Sequence, residues 1–426
     1  MGDSDRDYRR DFYRALNVHQ GAQMLSEEEE FERYYVLIYA QSDGPAGPDL
    51  VAEIATAIDF TAGGSVQLLS GYRGAGKTTE LLRLKRELDR EVYLPVYFDI
   101  EDYFNPELPL ETATFLVGLA AGFVDNCEEI DGLKQSLYRR VQTFFQRLNI
   151  DAELSASVSG GSASLDLRAT LRDDESFRAQ VKKALESNRK TFKEEMHAFF
   201  NDLANNLPGN KTPVFIVDSI DHYRGRSSTF DEVRDSVEAL FSHYASELAL
   251  PGMHVVYTVP VYVKPTGWGG EVWPVLNVKV RERSGEDCQE GIDLLRQVLA
   301  KRAPNGDVER LLGVETDRVI RASGGLFRDL FRLVAGLLLK NGPLPVRPED
   351  VDQVERQQRS QAVAGLTQEQ WEILRQVKET QQLIVPRELT SEAWTLQALG
   401  YVLCYRNGTV DWYGVHPLLE RLLDED

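Results

Sequence analysis

The sequence predicts an α/β fold: a parallel sheet with helices on both faces, then a helical segment and a small C-terminal domain of helices and a hairpin. Three observations predict it. Five strings of buried-strand type, at 65–70, 92–100, 213–218, 253–260 and 275–280, alternate with stretches of helical apolar spacing, the rhythm of parallel strands joined by helical crossovers. A glycine-rich turn, Gly71-Tyr72-Arg73-Gly74-Ala75-Gly76-Lys77-Thr78-Thr79, follows the first string and leads into a helical pattern. Near the C-terminus, apolar strings at 401–406 and 410–415 flank Asn407-Gly408, a strong hairpin signal.

Composition bounds the reading. At 426 residues the chain exceeds one ordinary core, so two or three domains are expected. With 42% hydrophobic and 27% charged residues it falls in the soluble globular class. The longest apolar run, 115–124, is about half the ~20 residues that span a bilayer, and the Asp- and Arg-rich N-terminus lacks the apolar core of a secretory signal. No membrane contact is expected. Cys127, Cys288 and Cys404 lie far apart and the six histidines show no metal-ligand spacing, so a cytoplasmic location is expected. A net charge of −20 argues against a chain that coats nucleic acid or anionic lipid, while leaving room for a local basic patch.

In chain order, residues 1–27 mix charges without clear period and read as an arm. Helical spacing at 27–40 and 49–60 is interrupted by Gly44-Pro45-Ala46-Gly47-Pro48. The turn that follows the first strand has a glycine, four spacers, a glycine, then Lys77 and Thr78, the Walker A spacing of a phosphate-binding loop. Glycines let successive N–H groups and the next helix's positive end point at an anion. Gly71, Gly74, Ala75, Gly76, Lys77, Thr78 and Thr79 are therefore the expected nucleotide-binding set, with Lys77 on the β- and γ-phosphates and the Thr78 hydroxyl on Mg²⁺.

The second strand ends in Glu101-Asp102, and helices are expected at 109–126 and 129–148. Then Leu154, Ala156 and Val158 alternate with polar residues, Gly160-Gly161 turns, and Leu165, Leu167, Ala169 and Leu171 alternate again. This is a β-hairpin pattern, with a Ser/Gly-rich linker as the alternative. Helix resumes over 175–206. The strand at 213–218 closes on Asp218, the Walker B pattern, in which a buried strand delivers a carboxylate at its C-terminal end for Mg²⁺. After a helix at 229–249 comes a strand carrying Thr258. Helices are expected at 287–302, 307–322 and 325–341, a connecting helix at 349–363, and helices at 367–380 and 388–399 before the hairpin. The expected domains are an arm, 1–27; an ATPase-type core, 28–283, with an insertion at about 109–206; a helical lid, 284–345; and a linker helix with a winged helix, 346–426.

In this order of motifs the chain resembles an AAA+ or STAND-type P-loop ATPase with a C-terminal winged helix, over about residues 28–426. It is similar to bacterial STAND-like ATPases and archaeal origin-recognition ATPases. The resemblance implies that Thr258 is sensor 1, near the γ-phosphate. It also implies that Arg328, in Gly324-Gly325-Leu326-Phe327-Arg328-Asp329, is sensor 2, reaching that phosphate from the lid. From the residues alone, Thr258 also fits a strand cap and Arg328 a solvated helix surface. Two features depart from the pattern. Ser219 stands where such enzymes place the glutamate that orients water, which makes Asp221 the first candidate for that task and Glu101 the second. No arginine finger is marked; Arg224 and Arg226 either reach a neighbour's γ-phosphate or are solvated.

The reading implied is a regulatory ATPase that binds ATP, ADP and Mg²⁺ and signals to a protein partner; a homo-oligomer is compatible with it. A DNA-engaging ATPase and a nucleotide-binding module with negligible turnover are the alternatives. DNA is not favoured by charge: from Leu366 onward Arg375, Lys378, Arg387, Arg406 and Arg421 face ten acids. Guanine specificity lacks support, since Asn210-Lys211-Thr212-Pro213 has proline where a guanine reader needs aspartate.

Overall fold

The structure, a computed structural model, describes residues 3–16, 21–39, 44–127, 134–148, 163–223, 225, 229–263, 265, 268 and 270–425. The chain divides into two compact units. One comprises Val51–Ser70 and Glu80–Pro274; the other comprises Met1–Leu50, Gly71–Thr79 and Val275–Asp426.

The first of these units holds the sheet. Its strands are β1 (Val66–Gly71), β2 (Tyr93–Asp99), β3 (Thr212–Asp218), β4 (His254–Pro260) and β5 (Val272–Val275), in the order β2-β3-β4-β1-β5. The β2–β3 and β3–β4 pairs run parallel, in a register that sets Asp99 opposite Asp218. All of β4 and nearly all of β3 are buried, which is why these strings read as continuous apolar runs rather than alternating ones. Phe215 of β3 stacks on Phe98 of β2 and meets Phe123 edge-on at 5.1 Å. Phe123 belongs to the helix Thr112–Asn126, whose residues from Ala113 to Val124 are all buried. The longest apolar run of the sequence is thus a core helix, and among the described residues no helix is long and apolar enough to cross a membrane.

The insertion departs from the expected pattern. Ala163–Asp173 is an α-helix, so the alternation of Leu165, Leu167, Ala169 and Leu171 does not mark a strand. Over so short a window the same residues also fit spacings of four, and the helical choice buries Leu171 while bringing Arg168 to Tyr103 and Asp125. The first strand expected for that hairpin, Leu154, Ala156 and Val158, and its turn Gly160-Gly161 lie outside the described residues, as do Arg224 and Arg226. The helix expected over 175–206 is two helices, Glu175–Ser187 and Arg189–Asn205. They part at Asn188, which is non-helical and accepts the Thr191 N–H as an N-cap.

The other unit gathers the N-terminal residues, the glycine-rich loop and everything after β5. Residues 3–16 are no loose arm. Asp3–Leu16 is a helix whose Tyr8, Phe12 and Leu16, four apart, bury in one core with the helices Gln289–Ala300, Thr316–Ala322 and Phe327–Leu338. Arg9 Nη1 donates to the carbonyls of Leu337 and Leu338 at 3.1 and 3.2 Å, a cation on the carbonyl end of a helix. The strand expected at 275–280 stops at Val275. Beyond it the Val278 and Lys279 amides donate to Gly325 and Pro45, and Leu276, Val278 and Val280 are buried outside any strand. At the C-terminus, Gln368–Thr380 and Thr390–Leu399 precede the antiparallel pair β6 (Val402–Asn407) and β7 (Val410–Val415), the order expected of a winged helix. A closing helix absent from the sequence reading, Pro417–Glu425, adds Leu419 to their core.

Phe12→Ala should lower the stability of this unit by about 3–5 kcal/mol, the usual cost of emptying a fully buried aromatic site. The check is the urea midpoint together with amide exchange in the helix Phe327–Leu338. An unchanged midpoint and unchanged exchange would show that the N-terminal helix is no part of that core.

Candidate functional site

The glycine-rich loop leaves the end of β1, and the helix Lys77–Glu87 starts at its last lysine. The backbone is left-handed at Gly74 (φ 89°) and Gly76 (φ 103°), a conformation that side chains resist. The loop closes on itself through the Ala75 N–H, which donates to the Tyr72 carbonyl at 3.1 Å. Lys77, 5% exposed, donates from Nζ to the carbonyls of Gly71 and Tyr72 at 2.9 and 2.8 Å. A buried ammonium beside a helix N-terminus is a donor set that suits a polyphosphate. Thr78 and Thr79, half-buried, stand in the first turn of that helix.

The same unit brings the helix Phe327–Leu338, in the segment expected to be a lid, to this loop. Arg328 donates its backbone N–H to the Gly74 carbonyl at 3.3 Å. A methyl group on Gly74 would stand 2.4 Å from Arg328 Cβ, and one on Gly76 would stand 3.2 Å from the Phe327 ring. Arg328 therefore sits at the loop, at the start of the lid helix, and its core-facing neighbours are Leu326 and Leu330. Its guanidinium is held by Asp329, at 3.2 Å from Nε to Oδ1. Burial works to raise the Asp329 carboxyl, but His416, with Nε2 at 3.4 Å from Oδ2, and the charges of Arg328 and Arg332 outweigh it and hold it at about 2. Tyr72 was not singled out by the sequence reading. This spacer of the loop is 2% exposed and lies beside Gln397, Cys404, Tyr405 and Tyr413 of the C-terminal domain. Tyr405 in turn donates to the Gly324 carbonyl at 2.8 Å. Loop, lid and C-terminal domain are packed together.

In the sheet-bearing unit, the C-terminal ends of β2 and β3 carry the acids. Asp218, 1% exposed, accepts the Tyr97 hydroxyl on Oδ2 at 2.8 Å and the Ser219 N–H on Oδ1 at 2.7 Å. Ser219 is left-handed (φ 70°), so the chain leaves the strand at once instead of presenting the next side chain beside Asp218. The turn is braced from β4, where the fully buried Thr258 Oγ1 accepts the Ile220 N–H at 3.1 Å. Asp221 is buried with Nε2 of His222 at 3.9 Å, and Nδ1 of His222 donates to Glu101 Oε1 at 2.9 Å. The two candidate acids thus share one histidine, which no spacing in the sequence marked. Asp99 was also passed over, although the register places it opposite Asp218. Burial and then the charge of Asp218 push its carboxyl up to about 6, against the Glu101 N–H and the Ser219 hydroxyl, which favour the anion.

No family model matches the chain, and no curated protein matches it. Among solved structures it is similar to the crystal structure of Cdc6p from Pyrobaculum aerophilum, at 14% identity, over 92% of this chain and 97% of that one, with a TM-score of 0.36. The reading of the site rests on its own residues.

Asp99 makes a pH prediction. Its folded value of about 6 lies above the ordinary 3.8, so the folded state holds the proton more tightly. Stability should fall as pH rises from about 4 to about 6, and the penalty should be complete above that. In Mg²⁺-free buffer Asp99→Asn should flatten that slope and gain on the order of 2–3 kcal/mol at pH 7.5. An Asn variant with the wild-type pH profile would contradict this.

Proposed function

We propose that the chain is an ATP-binding regulatory ATPase, in which Mg²⁺-dependent hydrolysis acts as a conformational switch read by a protein partner. The observation that carries this reading is the phosphate loop: its left-handed glycines and its buried Lys77 are packed against the start of the lid at Arg328. Gly71, Gly74, Ala75, Gly76 and the first-turn amides of the following helix cradle the phosphates, Lys77 neutralises charge on the β- and γ-oxygens, and Arg328 reads the γ-phosphate. Mg²⁺ would be held by Thr78 and Asp218, and when bound it neutralises charge developing between the β- and γ-phosphates. Such an ion keeps most of its waters and needs only one or two carboxylates from the protein, which the chain offers. Asp221, or Glu101 through His222, orients the attacking water.

The output is a difference in contacts between nucleotide states rather than force. A lid whose first residues rest on the phosphate loop, with a C-terminal domain that buries Tyr72, supports that kind of output. The DNA-engaging alternative finds little cation to spare in that domain. Lys378 pairs with Asp424, Arg406 with Asp411 at 2.6 Å, and Arg421 with Glu355 at 2.5 Å. A protein that grips duplex needs several such cations on phosphates.

Calorimetric titration of ATP tests the binding half. Lys77→Ala should bind ATP at least ~10-fold more weakly, as expected when charge-assisted hydrogen bonds worth roughly 1.5–3 kcal/mol are lost; undiminished affinity removes the loop from the site. Steady-state turnover tests the other half. Asp218→Asn should weaken Mg²⁺-dependent binding, whereas Asp221→Asn should keep ATP affinity and lose turnover. Turnover equal to wild type in Asp221→Asn moves the role to Glu101. Duplex DNA added to the full chain should leave the rate unchanged, and a rate that rises with protein concentration would mark assembly.

A further inference from the structure

We propose that Tyr97 is a positioning residue for Asp218, its hydroxyl fixing the carboxylate in the orientation from which it takes Mg²⁺. The inference rests on the reading of Asp218 as the metal-side carboxylate and adds a residue that no Walker pattern contains.

The placement follows from strand geometry. Side chains two apart on a strand share a face, so Tyr97 and Asp99 project together from β2. Asp99 lies opposite Asp218 in the parallel register, which makes Tyr97 the diagonal neighbour of Asp218. A tyrosine is long enough to cover that diagonal, and its hydroxyl reaches Oδ2 at 2.8 Å. The other oxygen takes the Ser219 N–H at 2.7 Å. With these donors on its two oxygens, rotation of the carboxyl about its last bond is blocked, and an ionised carboxylate has lone pairs for several partners, a cation included.

Three further features support a role for the hydroxyl beyond packing. First, Ser219 holds a left-handed backbone that a residue with a side chain adopts only at a cost, so the chain accepts local strain directly beyond the carboxylate that the Ser219 N–H caps. Second, Tyr97 is the donor of this bond, because a carboxylate oxygen accepts. Third, the apolar positions Leu94, Val96 and Phe98 bury on the opposite face of the strand, while position 97 shares its face with Asp99, so what a tyrosine adds over a phenylalanine there is the hydroxyl on Asp218. An oriented carboxylate that a second residue hydrogen-bonds is the arrangement whose disruption typically costs about 10–100-fold in metal affinity.

The test is ATP binding by the full chain, titrated with Mg²⁺ from an EDTA baseline, for wild type, Tyr97→Phe, Asp218→Asn and the double variant. Thermal melts run alongside, since Tyr97→Phe removes one oxygen and keeps the ring. The Mg²⁺ midpoint of Tyr97→Phe should rise about 10-fold or more, with its EDTA baseline unchanged. The shift should vanish in the Asp218→Asn background, because the effect passes through that carboxylate. A residue that only supports the strand would lower the melting temperature and leave the Mg²⁺ midpoint in place. A wild type that responds to Mg²⁺ and a folded Tyr97→Phe with the same midpoint overturn the positioning role alone. A wild type that binds ATP without regard to Mg²⁺ overturns the metal reading and this inference with it.

Discussion

The backbone hydrogen bond from Arg328 N–H to the Gly74 carbonyl is the contact on which the loop-bearing unit depends. It exists only because position 74 has no side chain and takes a left-handed turn; a single methyl group there would overlap the arginine. Glycine is demanded twice, by the left-handed curl of the loop and by the approach of the helix Phe327–Leu338. The consequence is mechanical. On the proposed reading, a loop that changed shape around phosphate would move the start of the helix Phe327–Leu338, and through the buried Tyr72 it would disturb the packing of the C-terminal residues beside it. Arg9, lying on the last carbonyls of that lid helix, ties the N-terminal helix to the same element.

The sheet edge follows a separate constraint, that of keeping like charges together without water. Asp99 and Asp218 face each other on neighbouring strands, and the cost appears as a carboxyl held at about 6. A cation between or beside them would relieve it, as pairs of acids at catalytic sites commonly require. Ser219, Tyr97 and Thr258 hold this edge in shape with ordinary hydrogen bonds. On the proposed reading the water-orienting task would fall to side chains one turn further on, where His222 lies between Asp221 and Glu101.

Much of this was legible in the residues. The loop could be read because its chemistry requires glycines and a lysine at fixed spacing, and β3 because a strand covered on both faces is apolar until the acid that ends it. The hairpin at Asn407-Gly408 was equally plain, since the turn leaves few residue choices. What escaped reading depended on partners distant in sequence. Tyr8, Phe12 and Leu16 keep a spacing of four that interleaved charges disguise, and the core they fill lies about 300 residues on. Leu165 to Leu171 fit both periods within a short window, and the contacts of Arg168 to Tyr103 and Asp125 accompany the helical one. Tyr97, Asp99 and His222 acquire meaning from register and turn geometry alone. Strand register is not written in any one strand.

The central claim, that the phosphate loop and the start of the lid respond to nucleotide as one structure, is tested most directly by amide hydrogen exchange with and without Mg·ATP. The account predicts that ATP slows exchange across 71–79 and across 326–332 together, and that Lys77→Ala abolishes both effects. Slowing confined to the loop, or absent from both segments, would contradict it.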